Sequence, residues 1–128
     1  MKFLVVDNNR LLNRFLTTYL CGKGHTASSF TDPTKVEAWL EQNDPCDGVI
    51  LEISSPHLDG LALLSKLREK YPSEKLPIII FTGLGYDEDA MIEARQRGAN
   101  GYVSKGLGPS EIYRALMRAI GQPLPTPG

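Results

Sequence analysis

Four short apolar runs in this 128-residue chain each end in a residue that can do chemistry. Phe3-Leu4-Val5-Val6 stops at Asp7 and Asn8, and Gly48-Val49-Ile50-Leu51 stops at Glu52. Ile78-Ile79-Ile80-Phe81 stops at Thr82, and Gly101-Tyr102-Val103-Ser104 stops at Lys105. Two carboxylates and an amide oxygen suit a hard divalent cation such as Mg2+, with waters completing the octahedron. A threonine hydroxyl donates to a phosphoryl oxygen, and a lysine neutralises an anion. Singly, each has a plainer account: Glu52 as a strand-end surface residue, Thr82 as structure, Lys105 as a solvated charge. Their shared placement after apolar runs is what carries the functional reading.

That placement requires a sheet. Unbroken Val/Ile/Leu runs are what parallel strands covered on both faces need, so a carboxylate in one sits at its end. Between the strands lie helical stripes. Leu12, Phe15, Leu16, Tyr19 and Leu20 form the first, stopped by Gly22 or Gly24. Asp32 caps a second, with Pro33 in its first turn and Val36, Trp39 and Leu40 inward. Asp59-Gly60 opens a third, with Leu63, Leu64 and Leu67 inward, ending near Tyr71-Pro72. Asp87-Glu88-Asp89 places negative charge on the first turn of a fourth that runs to about Arg97, which is that run's simplest explanation. Pro109-Ser110-Glu111 opens the fifth, with Ile112, Ala115, Leu116, Ala119 and Ile120 in its stripe. Five strands alternating with five helices predict an α/β domain of right-handed βαβ units. The runs at 3–6, 48–53 and 78–81 read as central strands and the weaker ones at 25–30 and 101–104 as edges. The expected order is therefore 2-1-3-4-5, with a crevice beside Asp7 and Glu52 where the winding reverses.

Composition narrows the function. A chain of this length is one domain's worth and buries roughly two-thirds of its unfolded surface. With 14 basic and 15 acidic residues, a net charge of −1 and 41% hydrophobic residues, it is neither disordered nor a basic nucleic-acid binder. Cys21 and Cys46 make neither a disulfide framework nor a zinc site and read as reduced, buried thiols. No run approaches the roughly 20 apolar residues of a membrane span, and a cytoplasmic location is expected. Residues 1–121 read as one domain and the proline-rich stretch 122–128 as a linker or tail.

From Met1 to about Ile120 the sequence resembles the receiver domain of two-component response regulators. The likeness rests on Phe3-Leu4-Val5-Val6-Asp7, the Pro56-His57-Leu58-Asp59-Gly60 match to a P-x-x-D-G turn, Thr82-Gly83 and Gly101-Tyr102-Val103-Ser104-Lys105. The resemblance implies a flavodoxin-like fold and a role in phosphorelay signalling rather than catalysis. It puts Asp7 and Asn8 at the metal-binding acidic pair, Glu52 at the phosphoacceptor, Thr82 and Lys105 at the phosphate-sensing positions, and Tyr102 at the aromatic switch. The metal set so implied is Asp7, Asn8, Glu52 and Ser54, weakened or lost, so any Mg2+ site is expected to be weak. Implied partners are other signalling proteins, a fused output domain, or a second copy through the face of the fourth helix, fifth strand and fifth helix. Ile92, Arg95, Tyr113 and Met117 are candidates beside Tyr102 on that face.

The sequence departs from the family at three points. Glu52 replaces aspartate and is longer by about 1.5 Å, and a misplacement near 1 Å costs in-line transfer about a hundredfold. Asn8 removes one charge from the metal pair. Gly106 follows Lys105 where the family usually has proline, predicting a looser turn. Together they predict a receiver that has lost phosphotransfer, with Glu52 reaching toward Lys105 as a permanent carboxylate. The alternative from another class is a metal-assisted phosphohydrolase resembling the haloacid dehalogenase group, but Asp7-Asn8-Asn9 lacks the required D-x-D. A flavodoxin is disfavoured because Asp7-Asn8-Asn9-Arg10 is no phosphate-cradling loop. His57 is expected to be exposed and without a second metal ligand.

Overall fold

The computed structural model describes residues 1–53, 59–83 and 87–121. Five parallel strands, β1 (Lys2–Val6), β2 (Thr26–Phe30), β3 (Gly48–Leu51), β4 (Ile78–Thr82) and β5 (Gly101–Ser104), form one sheet in the order β2-β1-β3-β4-β5. The helices are α1 (Arg10–Gly22), α2 (Val36–Gln42), α3 (Gly60–Lys70), α4 (Glu88–Gln96) and α5 (Pro109–Ile120). The expected flavodoxin-like fold and strand order are therefore the observed ones. The edge assignment follows from burial: every residue of β3 and β4 is buried, whereas β2 is half-buried or exposed throughout.

Alternation along the strands builds a core on each face. Leu4, Val6, Val49, Leu51, Ile78 and Ile80 point to the α2, α3 and α4 side. Phe3, Val5, Ile50, Ile79 and Phe81 point to the α1 and α5 side. Both faces being covered is why the central strands read as continuous apolar runs.

Side-chain caps start the helices as the sequence suggests: Asn9, Asp59 and Asp87 accept from the backbone N–H groups of Leu12, Ala62 and Ala90. Asp32 instead caps a 3-10 turn, Pro33–Lys35, that leads into α2. The α1 stripe differs from expectation. Phe15 is 54% exposed, and the buried residues are Asn13, Leu16 and Leu20. Rotating the helix this way puts an amide where it can reach main-chain oxygens. Cys46 is buried but Cys21, at the solvent side of the last α1 turn, is exposed, correcting the expectation of two buried thiols. No helix among the described residues is long and apolar enough to cross a membrane.

Candidate functional site

The register carries the site. Val6 pairs with Leu51 and Thr82 with Ser104, so the residues that follow, Asp7, Glu52, Gly83 and Lys105, lie along one edge of the sheet. Main-chain bonds extend the pairing past the strand ends, from Glu52 N–H to Val6 O at 3.0 Å and from Asp7 N–H to Phe30 O at 3.2 Å. Asp7 and Glu52 are each 2% exposed and Thr82 is fully buried.

Lys105 closes the cluster. Its Nζ lies 2.5 Å from Glu52 Oε2 and 2.9 Å from Asp7 Oδ2. Burial pulls its pKa down, but hydrogen bonds to Glu52 and Asp7 and their charges outweigh that pull, leaving the pKa above the ordinary lysine value. Gly106 lies in a defined turn. Lys105–Leu107 is a 3-10 turn in which Ser104 Oγ accepts from Gly106 N–H at 3.3 Å, and the lysine reaches both acids. Two carboxylates against one ammonium leave a formal charge of −1 in a largely dry site, tolerable because each oxygen that faces the lysine is paired.

Asp7 is held from two further sides. Its Oδ1 accepts from Asn9 N–H at 2.9 Å, and the Asn13 side chain donates to Asp7 O at 2.8 Å and to Phe30 O at 3.4 Å. Asn13 thus ties the ends of β1 and β2 to α1. Sequence reasoning missed it, although a polar residue in phase with Leu16 and Leu20 was the available signal. Glu52 is held by its neighbour in space: a Cβ on Gly60 would collide with Glu52 O and with Ile53, so only glycine lets α3 begin against this strand.

Tyr102 is half-buried, its hydroxyl shielded from water beside the Thr82 side chain. Burial raises its pKa, as do the charges of Asp87 and Glu52, while the contact with Thr82 acts the other way. The ring therefore packs inward, within electrostatic reach of Glu52. Asn8 is exposed. Ser54 and His57, with the Pro56–Leu58 part of the turn motif, lie outside the described residues, as does 122–128. Met117 is 4% exposed in the α5 core, which removes it from the surface candidates; Ile92 and Arg95 are exposed and Tyr113 is half-buried.

The response regulator receiver domain matches residues 3–117 of this chain. The chain belongs to that family. It is 35% identical over 116 residues to the DNA-binding transcriptional regulator NtrC of Salmonella typhimurium, covering 91% of this chain but 24% of NtrC. It is 31% identical over 123 residues to a chemotaxis protein CheY homolog of Campylobacter jejuni, covering 94% of this chain and 93% of that one. The BeF3-activated receiver domain of Klebsiella pneumoniae RstA superposes with a TM-score of 0.83 over 95% of this chain and 100% of its own, a likeness of fold at 23% identity. The receiver family is a signalling module rather than an enzyme, which sets the phosphohydrolase alternative aside.

Receiver domains use Mg2+ for phosphorylation, and here the two carboxylates that would hold it, Asp7 and Glu52, both face Lys105. Both Asp7 oxygens are engaged, one by Asn9 N–H and one by Lys105, and Glu52 faces the same ammonium. Among the described residues no three His, Cys, Asp or Glu side chains are grouped to hold a metal ion. A cation held by Asp7 Oδ2 or Glu52 Oε2 would share that oxygen with Lys105.

Proposed function

We propose that this receiver domain works in two-component signalling as a protein-interaction module without phosphoryl transfer, with Glu52 standing where a phosphorylated aspartate would stand. The observation that carries this reading is the 2.5 Å contact between Lys105 Nζ and Glu52 Oε2. A phosphoryl group bound at this edge is recognised by a lysine and a hydroxyl; here the longer acid reaches the lysine unaided. It supplies about one negative charge in place of a phosphate's −1.5 to −2, an imperfect but permanent substitute. Thr82 buried beneath an inward Tyr102 is consistent with a switch held in one position. A weakened Mg2+ site follows from the same geometry, because the lysine and a metal compete for Asp7. The chain spans about a quarter of NtrC, so a fused output domain and separate signalling proteins are both partners in keeping with this role.

Incubation with acetyl phosphate and Mg2+, followed by intact-mass and peptide-mapping spectrometry, tests it. The expected result is no added phosphoryl group at residue 52. A phosphoryl mass mapped to Glu52 overturns the proposal.

A further inference from the structure

Among the described residues β2 is an outermost strand, paired only with β1. Thr26 N–H donates to Met1 O at 2.9 Å and Phe30 O accepts from Asp7 N–H at 3.2 Å, so Thr26, Ser28 and Phe30 turn their main-chain groups toward β1. By alternation, Ala27 and Ser29 turn theirs outward. The strand reads Thr-Ala-Ser-Ser-Phe in unbroken register, with none of the lysine, proline or bulge that ordinarily blunts a sheet edge.

A groove borders this edge on each face of the sheet. On the α1 side Arg10, Arg14 and Ser29 line about 360 Å³, and on the α2 side Phe30, Lys35 and Trp39 line about 320 Å³. The Phe30 and Trp39 rings meet edge to face with centroids 6.4 Å apart, which gives the second groove an aromatic wall. Arg10, Arg14 and Lys35 are exposed, and among the described residues none is in an ion pair. The arginines lie one turn apart, and Arg10 opens α1, where a cation opposes the helix dipole and no acidic residue offsets it. The described lining of the two grooves thus holds three cations and no carboxylate. Asp32, just beyond the strand, is turned to Thr34, accepting from its N–H at 2.9 Å and its hydroxyl at 2.7 Å.

We infer that an extended acidic segment of a partner protein adds to β2 as a sixth strand, its main chain bonded to that of Ala27 and Ser29. Its side chains alternate: carboxylates on one face pair with Arg10 and Arg14, and apolar groups on the other cover Phe30 and Trp39. Charge and backbone decide among occupants. A second copy pairing β2 to β2 would set Arg10, Arg14 and Lys35 against their own counterparts, which like-charge repulsion opposes. The stretch 122–128 has no acidic residue and three prolines, which lack the N–H a ladder needs. Nucleic acid supplies anions but neither the ladder nor the alternating apolar groups. Nothing in the inference depends on the state of residue 52.

The test is an NMR titration of the 15N-labelled protein with a short synthetic peptide of alternating Glu and Val. One control peptide carries Gln for Glu, and another is N-methylated throughout, which removes the ladder donors and keeps the charge. Shift changes are expected at 10, 14, 27–31, 35 and 39, with slowed hydrogen exchange at the Ala27 and Ser29 amides. Affinity should fall about tenfold or more with either control, with R10Q/R14Q, or with Ser29→Pro, whose lost N–H faces away from β1 and so leaves the native ladder intact. R10Q/R14Q carries the test if Ser29→Pro does not fold. Equal binding of the Glu and Gln peptides, full binding of the methylated peptide, shifts centred elsewhere, or no binding overturns the inference. So does tighter binding of a DNA duplex at this edge, or a dimer in sedimentation that Ser29→Pro abolishes.

Discussion

Lys105 and Arg68 are both cations drawn out of water at a sheet end, and they are satisfied in opposite ways. Lys105 meets two carboxylates, and its pKa rises. Arg68, on α3, meets only neutral acceptors: Gly98 O at 2.8 Å, Tyr71 O at 3.0 Å, Leu76 O at 2.8 Å and Asn100 Oδ1 at 2.7 Å. Burial lowers its pKa, the charge of Glu74 opposing that shift. Backbone dipoles cannot titrate, so Arg68 is a fixed tie between α3, the start of β4 and the α4–β5 turn. Carboxylates can be protonated, modified or approached by metal, so Lys105 sits where the molecule is adjustable.

Substitutions should pull the two apart. Lys105→Met strands two buried carboxylates beside each other and is expected to cost about 3–4 kcal/mol in urea unfolding at pH 7. Arg68→Met leaves main-chain oxygens without donors and is expected to cost about 2–3 kcal/mol, with little change between pH 5 and 8. A cost for Arg68→Met as large as that for Lys105→Met would erase the distinction.

A double-mutant cycle on Glu52→Gln and Lys105→Met should return a coupling of about 1–3 kcal/mol, whereas a value near zero would mean the contact contributes no net stability. The titration has a definite direction. Because folding raises the lysine pKa, its stabilisation is fully present below the unfolded value near 10.5 and is lost as pH climbs through the folded value. Unfolding midpoints measured from pH 9 to pH 12 should fall more for the wild type than for Lys105→Arg, since arginine stays charged. The smallest effect is chemical: burial pushes the Cys46 thiol up to about 11, so a thiol reagent at pH 8 should label exposed Cys21 and spare Cys46 until unfolding.

Much of this was legible in the residues. The apolar runs at 3–6, 48–51 and 78–81 specify covered central strands, the polar run at 26–30 an edge, and the strand order then places Asp7, Glu52 and Lys105 side by side. What periodicity could not supply was rotation about a helix axis. Phe15 and Asn13 compete for the inward position of α1, and hydrophobicity favours Phe15. The need to satisfy Asp7 O and Phe30 O turns Asn13 inward instead. Met117 shows the converse, an apolar residue beside the predicted α5 stripe that is still buried in the α1 and α5 core. Arg68 carries no motif, because its partners are main-chain oxygens contributed by segments distant in sequence.

The missing side chain at Gly60 has a mechanical consequence. The carbonyl of residue 52 lies so close to Gly60 that the acid's backbone and the first turn of α3 are in direct contact. A fluorine or dye reporter on an exposed first-turn position such as Ala62 should sense whatever happens at the carboxylate without touching it.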